Sequence, residues 1–428
     1  MAVEVLAYTT AGVNLAKNFR KIQGPMITAF KKATPEWDWY DDIPEEDITI
    51  SAREMTVPVD IQRQGGTAVI PEAGYEAQTY TAPLQEITLS WANLNQRWFT
   101  SFTSKYLAQR NAAGMITGAA QLKYQAAKAM QAISIRTQQM FYGLSTGIVC
   151  QTSTTATQTS GTYALQAGYG QAGITSTAFC ASFFALNDWV ALVRAGVLVT
   201  NAVGEITAID NVNGLTITWA GSVTSAAGDN IVFANNSINA TAATLSAGTD
   251  YNGWPVGLLD ANLTTTIHGL SGATYPNWNP AYTSSTAGRF SAVKIRQAIQ
   301  NIQNNYAASG GFDIILDQGV DRDVFSGERG AVRYADPENM QMDGSYKYKG
   351  VRFLTSPACP PGYVFVKAKG AVGKFSLLPK PDENTGAVWD DGWKAEDRNG
   401  LKFSVDWPFA FVVKARMGLA LFSNQTTQ

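Results

Sequence analysis

The histidine and the cysteines of this chain restrict the chemistry that it could perform. A Ser-His-Asp hydrolase would have to use His268, because the sequence has no other histidine. Cys150, Cys180 and Cys359 lie far apart in the sequence, so they lack the paired spacing of a Cys/His zinc site. Their odd number, without a close pair, also argues against a disulfide framework. We therefore expect no metal site, and we expect His268 to be structural.

Two further patterns could carry chemistry, but each lacks the context that its chemistry requires. The segment 168–173, Gly-Tyr-Gly-Gln-Ala-Gly, matches the dinucleotide-binding pattern G-x-G-x-x-G, yet no apolar strand precedes it and no βαβ unit contains it. Asp317, Asp321 and Asp323 follow an apolar strand, where metal or acid–base chemistry could occur. With no histidine nearby, we expect them to form a capped turn and helix start instead. The sequence thus predicts no catalytic, cofactor-binding or metal-binding residues, and a protein that is not an enzyme.

The charges of the chain are few and unevenly distributed. Charged residues make up 15% of the sequence, against about 25% in an ordinary soluble domain. Between 87 and 187 there is no acidic residue, and the basic residues there are Arg97, Lys105, Arg110, Lys123, Lys128 and Arg136. Between 188 and 288 six acidic residues accompany a single base, Arg194. This segregation is either a chance fluctuation or the sign of a basic face that meets a polyanion, at a density too low to read a nucleic-acid sequence.

An extended segment and a hairpin are predicted at the start of the chain. Residues 1–47 mix short apolar patches with the acidic run 41–47, which suits a solvated or partner-facing arm, with a cation site in the run as the alternative. Residues 48–98 alternate apolar and polar side chains on both sides of a Gly-rich stretch, which predicts a long hairpin. Its apolar face is small, so we expect the hairpin to lie on another surface.

A long helix and a small β unit are predicted to follow. Residues 101–144 are rich in Ala, Gln and Met, with apolar positions three or four apart, which predicts a long helix. A similar pattern predicts a second helix at 176–193. Four short apolar runs with an Asn-Gly turn predict a compact β-barrel at 195–235, and the residues 236–428 mix helix and strand patterns.

An arm, a projecting hairpin, a long helix and a later α/β region, in this order, resemble the major capsid proteins of tailed double-stranded-DNA bacteriophages, which have the Hong Kong 97-type fold. The segments that carry the resemblance are the 48–98 hairpin, the 101–144 helix, the stretch 257–278, the helix 289–308 with the strand after it, and the closing strands in 401–421. The likeness spans nearly the whole chain and is architectural, since the family has no short diagnostic motif.

The resemblance implies an α+β fold with five parts. These are an N-terminal arm (1–47), an E-loop hairpin (48–98), a P-domain with a long spine helix (99–194), an inserted small β-barrel (195–235), and the remainder of the P-domain with the A-domain (236–428). It further implies a structural subunit that self-assembles as hexamers and pentamers into an icosahedral shell around double-stranded DNA. No cofactor is implied.

The partners implied by the resemblance are other copies of the chain, packaged DNA, and portal, scaffolding and decoration proteins. The DNA-facing candidates are Lys105, Arg110, Lys123, Lys128 and Arg136. On one helix Lys105 and Lys123 align, because they are five full turns apart, and Lys128 lies on another face, so only part of the set can point to the shell interior. The N-terminus lacks a basic segment before an apolar run, and we expect no membrane contact, assembly in a bacterial cytoplasm and a final place in the virion capsid.

The chain departs from the family in two respects, and two other functions stay open. No lysine occurs between Lys32 and Lys105, so the lysine–asparagine cross-link that some relatives form from the E-loop is not available. No charged coiled coil precedes the arm, which implies a separate scaffold or none. The alternatives are an encapsulin-type shell around a protein cargo and a β-rich surface or adhesin protein.

Overall fold

The computed structural model describes residues 34–50, 54–61, 84–101, 118–234, 254–306, 311–331, 347–348, 351–376, 393–394 and 400–427. The predictions for residues 1–33, for the hairpin tip at 62–83 and for 102–117 lie outside the described residues. Among the helices that are described, none is long and apolar enough to cross a membrane.

Helices and strands are mixed along the described chain, as predicted for an α+β protein. The α-helices are α1 (Gly118–Tyr142), α2 (Thr177–Ala181), α3 (Leu258–Leu263), α4 (Ala292–Tyr306) and α5 (Gln318–Ala331). The strands up to 234 are β1 (Asp41–Asp42), β2 (Thr49–Ile50), β3 (Glu54–Asp60), β4 (Leu84–Ser90), β5 (Ala92–Ser101), β6 (Ile148–Thr152), β7 (Ala156–Tyr163), β8 (Leu165–Gln166), β9 (Trp189–Arg194), β10 (Val197–Asp210), β11 (Gly214–Ser225) and β12 (Asn230–Phe233). The later strands are β13 (Thr266–Ile267), β14 (Leu270–Ser271), β15 (Tyr282–Ser284), β16 (Phe312–Asp317), β17 (Lys347–Tyr348), β18 (Val351–Ser356), β19 (Val364–Ala368), β20 (Val372–Ser376), β21 (Trp393–Lys394), β22 (Gly400–Val413) and β23 (Leu419–Phe422).

The chain divides into two compact units. The first comprises Met1–Asp38, Trp91–Gln138 and Phe375–Ala410, and the second comprises Trp39–Ser90, Gln139–Lys374 and Phe411–Gln428. In the first unit, β5 pairs antiparallel with residues 400–409 of β22. The indole of Trp37 packs edge-on against the rings of Trp407 and Phe409, at centroid distances of 5.9 and 6.0 Å.

The predicted hairpin is observed in the second unit, but its return strand is shorter than predicted. β3 and β4 pair antiparallel from Glu54 with Ser90 to Asp60 with Leu84. Beyond Trp91 the chain enters β5 and pairs with β22 instead, so the prediction of one hairpin over 48–98 is wrong at its C-terminal end. The alternation of Ile87, Leu89 and Trp91 predicted a strand but did not specify its partner or its end.

The inner side of the hairpin base is buried within its own chain. Met55, Val57 and Val59 alternate along β3 and are almost fully buried. The backbone N–H of Asp60 donates to the carbonyl of Lys414 at 2.8 Å. The described base therefore lies on the rest of the second unit.

A seven-stranded sheet in the second unit has the strand order β7-β11-β10-β9-β12-β6-β8. Its two end strands, β7 and β8, are separated in the chain by Ala164 alone. The continuous segment formed by β7 and β8 therefore pairs with β11 through β7 and with β6 through β8. Because β7 and β8 are the two ends of the strand order, the sheet closes on itself. Small aliphatic side chains, among them Val193, Leu198, Val203 and Val232, pack together as its core.

This closed sheet corrects the predicted unit at 195–235. The strands β10, β11 and β12 of that unit share the sheet with β6 to β9, so the sheet extends from 148 to 233. The predicted helix at 176–193 is also wrong, because only Thr177–Ala181 is helical and Trp189–Arg194 is a strand. The continuous apolar run in β9 is compatible with a buried helix or a buried strand, and its burial on both sides explains the misassignment.

The C-terminal part of the second unit contains a six-stranded sheet in the order β15-β23-β19-β16-β18-β17. The helix α4, predicted at 289–308, packs against it through Ile295, Ala298 and Ile302, which lie three and four positions apart on one face. β16 occupies the middle of the sheet, where its apolar run is buried. The predicted helix and buried strand are both confirmed.

Candidate functional site

The exposed side of α1 carries Lys128, a DNA-facing candidate whose side chain the structure describes as exposed. Four side chains at helical spacing are exposed, namely Lys128, Gln131, Ala132 and Ile135. The Lys128 Nζ donates to the Gln131 Oε1 at 3.2 Å. Ile135 is 43% exposed on the same stripe, so this face combines one charge with polar and apolar side chains. Such a face can contact a polyanion through charge but has little capacity to read a sequence.

The structure brings only part of the predicted basic set onto this helix. Lys123 and Arg136 lie in α1, and the Arg136 side chain is half-buried. Lys128 and Arg136 are eight residues apart, which separates them by about 80° around the helix axis. Lys105 and Arg110 lie outside the described residues.

The acidic run at 41–47 is anchored at its start by lysines of its own chain, whereas Asp42, Glu46 and Asp47 are exposed, as predicted for a solvated segment. The Lys367 side chain is fully buried, and its Nζ lies 3.0 Å from the Asp41 Oδ2 and 3.7 Å from an Asp313 carboxylate oxygen. The same Nζ lies 4.9 Å from the ring centroid of Trp39. A desolvated ammonium is stable only with such counter-charges and a π-face around it. The Asp41 carboxylate therefore has a structural partner in Lys367.

A second lysine repeats this arrangement at the next position of the run. The Lys374 Nζ donates to the Tyr40 carbonyl at 2.9 Å and lies 3.4 Å from the Asp42 Oδ1. β1 pairs in parallel with β20, which places Asp42 opposite Lys374. Ile43 follows and is buried, close to Gly373, where a Cβ would lie 2.6 Å from the Ile43 side chain. Residues 39–43 are thus a packed strap, which the composition of the run alone did not reveal.

Arg416 is a buried cation that the sequence did not single out. Its guanidinium donates to the carbonyls of Ala261 (2.7 Å), Trp278 (3.2 Å) and Thr265 (3.4 Å), and also to the carbonyl of Thr264. These carbonyls include orphan groups at the end of α3. Burial lowers the pKa of Arg416 to about 10, opposed by the negative charge of Asp260. The residue fastens the stretch 257–278 to the C-terminal segment.

His268 is placed as a structural residue in the turn between β13 and β14. Its φ of +52° and that of Gly269, +77°, form the two-residue connection of a tight hairpin. The backbone N–H of Val413 donates to its Nε2 at 3.2 Å, which requires an unprotonated Nε2. Burial lowers the pKa of His268 to about 4, opposed by Asp260.

Two of the three aspartates at the end of β16 and in α5 have different structural roles. Asp317 caps the start of α5, and Asp323 forms an ion pair. The Oδ2 of Asp317 accepts the backbone N–H of Gly319 at 3.0 Å, as a residue capping α5 does. Burial raises the pKa of Asp317, against the backbone donors of α5. Asp323 is buried and paired with the Arg289 Nε at 3.1 Å. The predicted capped helix start is confirmed for Asp317.

The remaining motifs show no catalytic constellation in the described part of the chain. The segment Gly168–Gly170 forms a 3-10 turn between β8 and the short helix α2, and not a βαβ crossover. Within the described ranges, no three His, Cys, Asp or Glu side chains are grouped closely enough to hold a metal ion. Cys150, Cys180 and Cys359 are all buried thiols.

Comparison with known proteins relates the chain to capsid structures. Neither a protein-family model nor a curated protein matches its sequence. A chain of the cyanophage A-1(L) capsid asymmetric unit superposes with a TM-score of 0.50 at 11% identity, covering 92% of this chain and 93% of that one. A chain of the satellite phage P4 procapsid gives a TM-score of 0.43 at 8% identity, with coverages of 94% and 91%. An encapsulin from Synechococcus elongatus covers 34% of this chain and 54% of its own, with a TM-score of 0.27 at 14% identity.

The chain therefore has the fold of the cyanophage capsid chain over nearly its whole length. At this level of identity the likeness defines the fold, and the sequence-based resemblance to phage capsid proteins is confirmed at that level.

Proposed function

We propose that this chain is the major capsid subunit of a tailed double-stranded-DNA phage, self-assembling as hexamers and pentamers into an icosahedral shell. The observation that carries the proposal is the fold shared with the cyanophage capsid chain over 92% of this chain. The role is structural, and the charged groups described above support it, because Lys367, Lys374 and Arg416 are engaged in holding segments together.

The parts of the capsid fold are assigned as follows. The β3–β4 hairpin is the E-loop, α1 is the spine helix of the P-domain, and the six-stranded sheet with α4 and α5 belongs to the remainder of the P-domain and the A-domain. The closed sheet from 148 to 233 is the inserted barrel. Support for the last assignment is that Ile148 and Val232 are direct partners in the β6–β12 pair, so the chain enters and leaves this sheet at adjacent positions.

The basic set contacts packaged DNA without reading its sequence. Lys128 is the described member that is exposed, and Lys123 and Arg136 share its helix. Lys128→Glu should reduce retained DNA in a salt-dependent manner, because each phosphate contact releases a counterion. Lys369→Glu, at an exposed lysine outside the basic segment, is the matched control and should leave the genome content unchanged. If the Lys128→Glu and Lys369→Glu particles have equal genome content and equal salt tolerance, the basic side chain on α1 does not contact the packaged DNA.

The subunit proposal is tested by assembly of the purified full chain. Sedimentation should show large uniform particles, and replacing residues 62–83 by an Asn-Gly turn between β3 and β4 should leave a folded subunit that no longer closes shells. The reason is that the replacement removes the residues beyond the buried hairpin base, and in the proposed subunit the E-loop is the part that has to reach a neighbouring copy. Shortening the exposed β10–β11 turn at 211–213 is the matched control and should preserve the particles.

The same preparation separates the alternatives. Particles from a producing host that protect double-stranded DNA from nuclease support a phage capsid, whereas particles filled with protein and free of DNA support an encapsulin-type shell. A chain that is secreted and stays monomeric supports the surface or adhesin protein and contradicts both shells. Normal particles from the hairpin variant would contradict the E-loop assignment alone.

A further inference from the structure

The strand β5 has one long edge that no described strand covers. Its ten residues, Ala92–Ser101, pair antiparallel with residues 400–409 of β22. No other described strand pairs with β5, so the edge that faces away from β22 presents backbone N–H and C=O groups without a described partner. Proteins usually protect such an edge with proline, with charges or by keeping the strand short. β5 contains no proline and one charged residue, Arg97, so this edge can accept a further strand.

The N-terminal region joins the described structure beside this pair of strands. The indole of Trp37 packs against Trp407 and Phe409 of β22. In the β5–β22 pair these two residues lie opposite Leu94 and Ala92. All of them belong to the first compact unit. The chain therefore enters the described part of this unit near the end of β5 that contains Ala92.

Residues 2–10 have the composition of a strand. The segment, Ala-Val-Glu-Val-Leu-Ala-Tyr-Thr-Thr, is rich in β-branched and aromatic residues and contains neither proline nor glycine. Its one charged residue is Glu4, opposite in sign to Arg97 of β5. An antiparallel register with Glu4 opposite Arg97 brings residues 2–9 opposite residues 99–92. Opposite charges on neighbouring strands favour this register, and the segment then matches the length of the β5 edge.

We propose that residues 2–10 add as an antiparallel strand to the edge of β5 in the same molecule. In this register residue 10 lies near the Ala92 end of β5, where the described chain also begins. Fully extended, the linker at 11–33 reaches up to about 75 Å, more than the roughly 33 Å length of β5. A segment tethered in this way has an effective concentration of about a millimolar, so it outcompetes the same segment of other copies in dilute solution. The inference concerns the single chain and does not depend on the proposed function.

Hydrogen exchange of the purified full chain, followed by mass spectrometry, tests the added strand. The variant Val5→Pro/Leu6→Pro removes two consecutive backbone N–H groups, one of which must face β5 because the groups alternate along a strand. The β5 amides that face away from β22 should then exchange at least about tenfold faster than in the wild type. Val5→Thr/Leu6→Thr keeps both N–H groups and is the matched control, with the exchange of the wild type. The amides of the β3–β4 pair should be unchanged in all three proteins.

A photo-cross-linker identifies the copy that supplies the strand. Tyr8→p-benzoylphenylalanine keeps an aromatic side chain within the segment and reacts with the groups around it. Unlabelled and isotope-labelled chains of this variant are mixed at low concentration and irradiated. The peptides that join position 8 to β5 should each carry a single label, either light or heavy.

Three results would overturn the inference. Equal exchange of the β5 amides in the wild type and in the proline variant would show that residues 2–10 do not cover this edge. Cross-links from position 8 that fall only outside β5 would show the same. Cross-linked peptides of mixed label would show that the segment of a neighbouring copy occupies the edge. The proline substitutions lie outside the described core, and the exchange of the β3–β4 amides reports whether the variant is folded.

Discussion

Buried cationic side chains in this protein connect segments that are far apart in sequence. Lys367 and Lys374 hold the strap at 39–43, and Arg416 holds the stretch 257–278. Each cation is almost fully buried, and each has carbonyl or carboxylate oxygens around it. Removing a donor from such a site leaves desolvated acceptors without partners, which costs more than the loss of an exposed hydrogen bond.

Arg416→Lys should destabilise the protein by about 2–4 kcal/mol, because one ammonium cannot reach the four carbonyls that the planar guanidinium satisfies. Chemical denaturation measured by fluorescence gives the free energy of unfolding. Arg322→Lys, at an exposed arginine of α5, is the matched control and should change it by less than about 0.5 kcal/mol. Equal effects in the two variants would show that the carbonyl cluster around Arg416 contributes nothing.

His268 should make the stability depend on pH. Its pKa of about 4 in the folded chain lies below the value of about 6.5 in an unfolded chain, so the unfolded chain binds the extra proton first as the pH falls. The contribution is complete above pH 6.5 and decreases by about 3 kcal/mol between pH 6.5 and 4.

His268→Gln tests this effect, because the glutamine oxygen can accept the Val413 N–H and does not titrate. Its left-handed backbone costs the same at both pH values, so only the difference between urea midpoints at pH 7 and pH 4.5 is informative. The wild type should lose more stability on acidification than the variant. Identical pH dependence in the two proteins would exclude His268 as the source.

At the residue scale the sequence could predict local roles but not long-range partners. Asp317 follows a strand and precedes a helix, so its capping role is visible in the sequence itself. The contact of Asp41 with Lys367 depends on the path of the chain through two sheets. No periodicity or spacing encodes such a path in a single sequence.

At the scale of elements, the closed sheet from 148 to 233 is the part that the sequence described least well. The Asn-Gly turn between β10 and β11 was visible as a hairpin signal. Gly214 in this turn has a φ of +102°, and a Cβ there would lie 2.1 Å from the Tyr163 carbonyl oxygen, so the residue is required by β7 as well. The strands that flank β11 and β10 in the sheet are β7 and β9. Neither shows strict alternation of apolar and polar side chains, so the sequence pattern did not reveal them as strands.

Excision experiments should follow the observed bounds of this sheet and not the predicted ones. Replacing residues 148–233 by a short Gly-Ser linker should leave a folded chain, because Ile148 and Val232 are adjacent partners and a few residues span the gap. Replacing only 195–233 removes β10, β11 and β12. The strands β6, β7 and β9 then lose the neighbours with which their backbone N–H and C=O groups pair. We expect that variant to be insoluble or protease-sensitive.

Solubility, circular dichroism and limited proteolysis of the two excision variants give the answer. A folded 195–233 deletion together with an unfolded 148–233 deletion would contradict the observed bounds and restore the smaller predicted unit. Two equally unfolded variants would show that the sheet is not an insertion.

At the scale of the whole molecule, the low charge of the sequence agrees with the neutral polar groups that cover part of the described surface. Hydroxyl pairs line the exposed side of β7 and β11, where Thr157 lies 3.0 Å from Thr224 and Thr162 lies 3.2 Å from Thr216. Exposed apolar side chains are also present, among them Val293 in α4 at 74%. Surfaces that are neither strongly charged nor strongly apolar suit many moderate contacts between copies, which is what a shell with repeated interfaces needs.

Electron cryo-microscopy of particles from the overexpressed full chain shows whether its copies close into an icosahedral shell. We expect closed shells in which pentamers occupy the fivefold vertices and hexamers the faces. The residues beyond the buried base of the β3–β4 hairpin should contact a neighbouring subunit. Monomers alone, open layers or fibres at high protein concentration would contradict it.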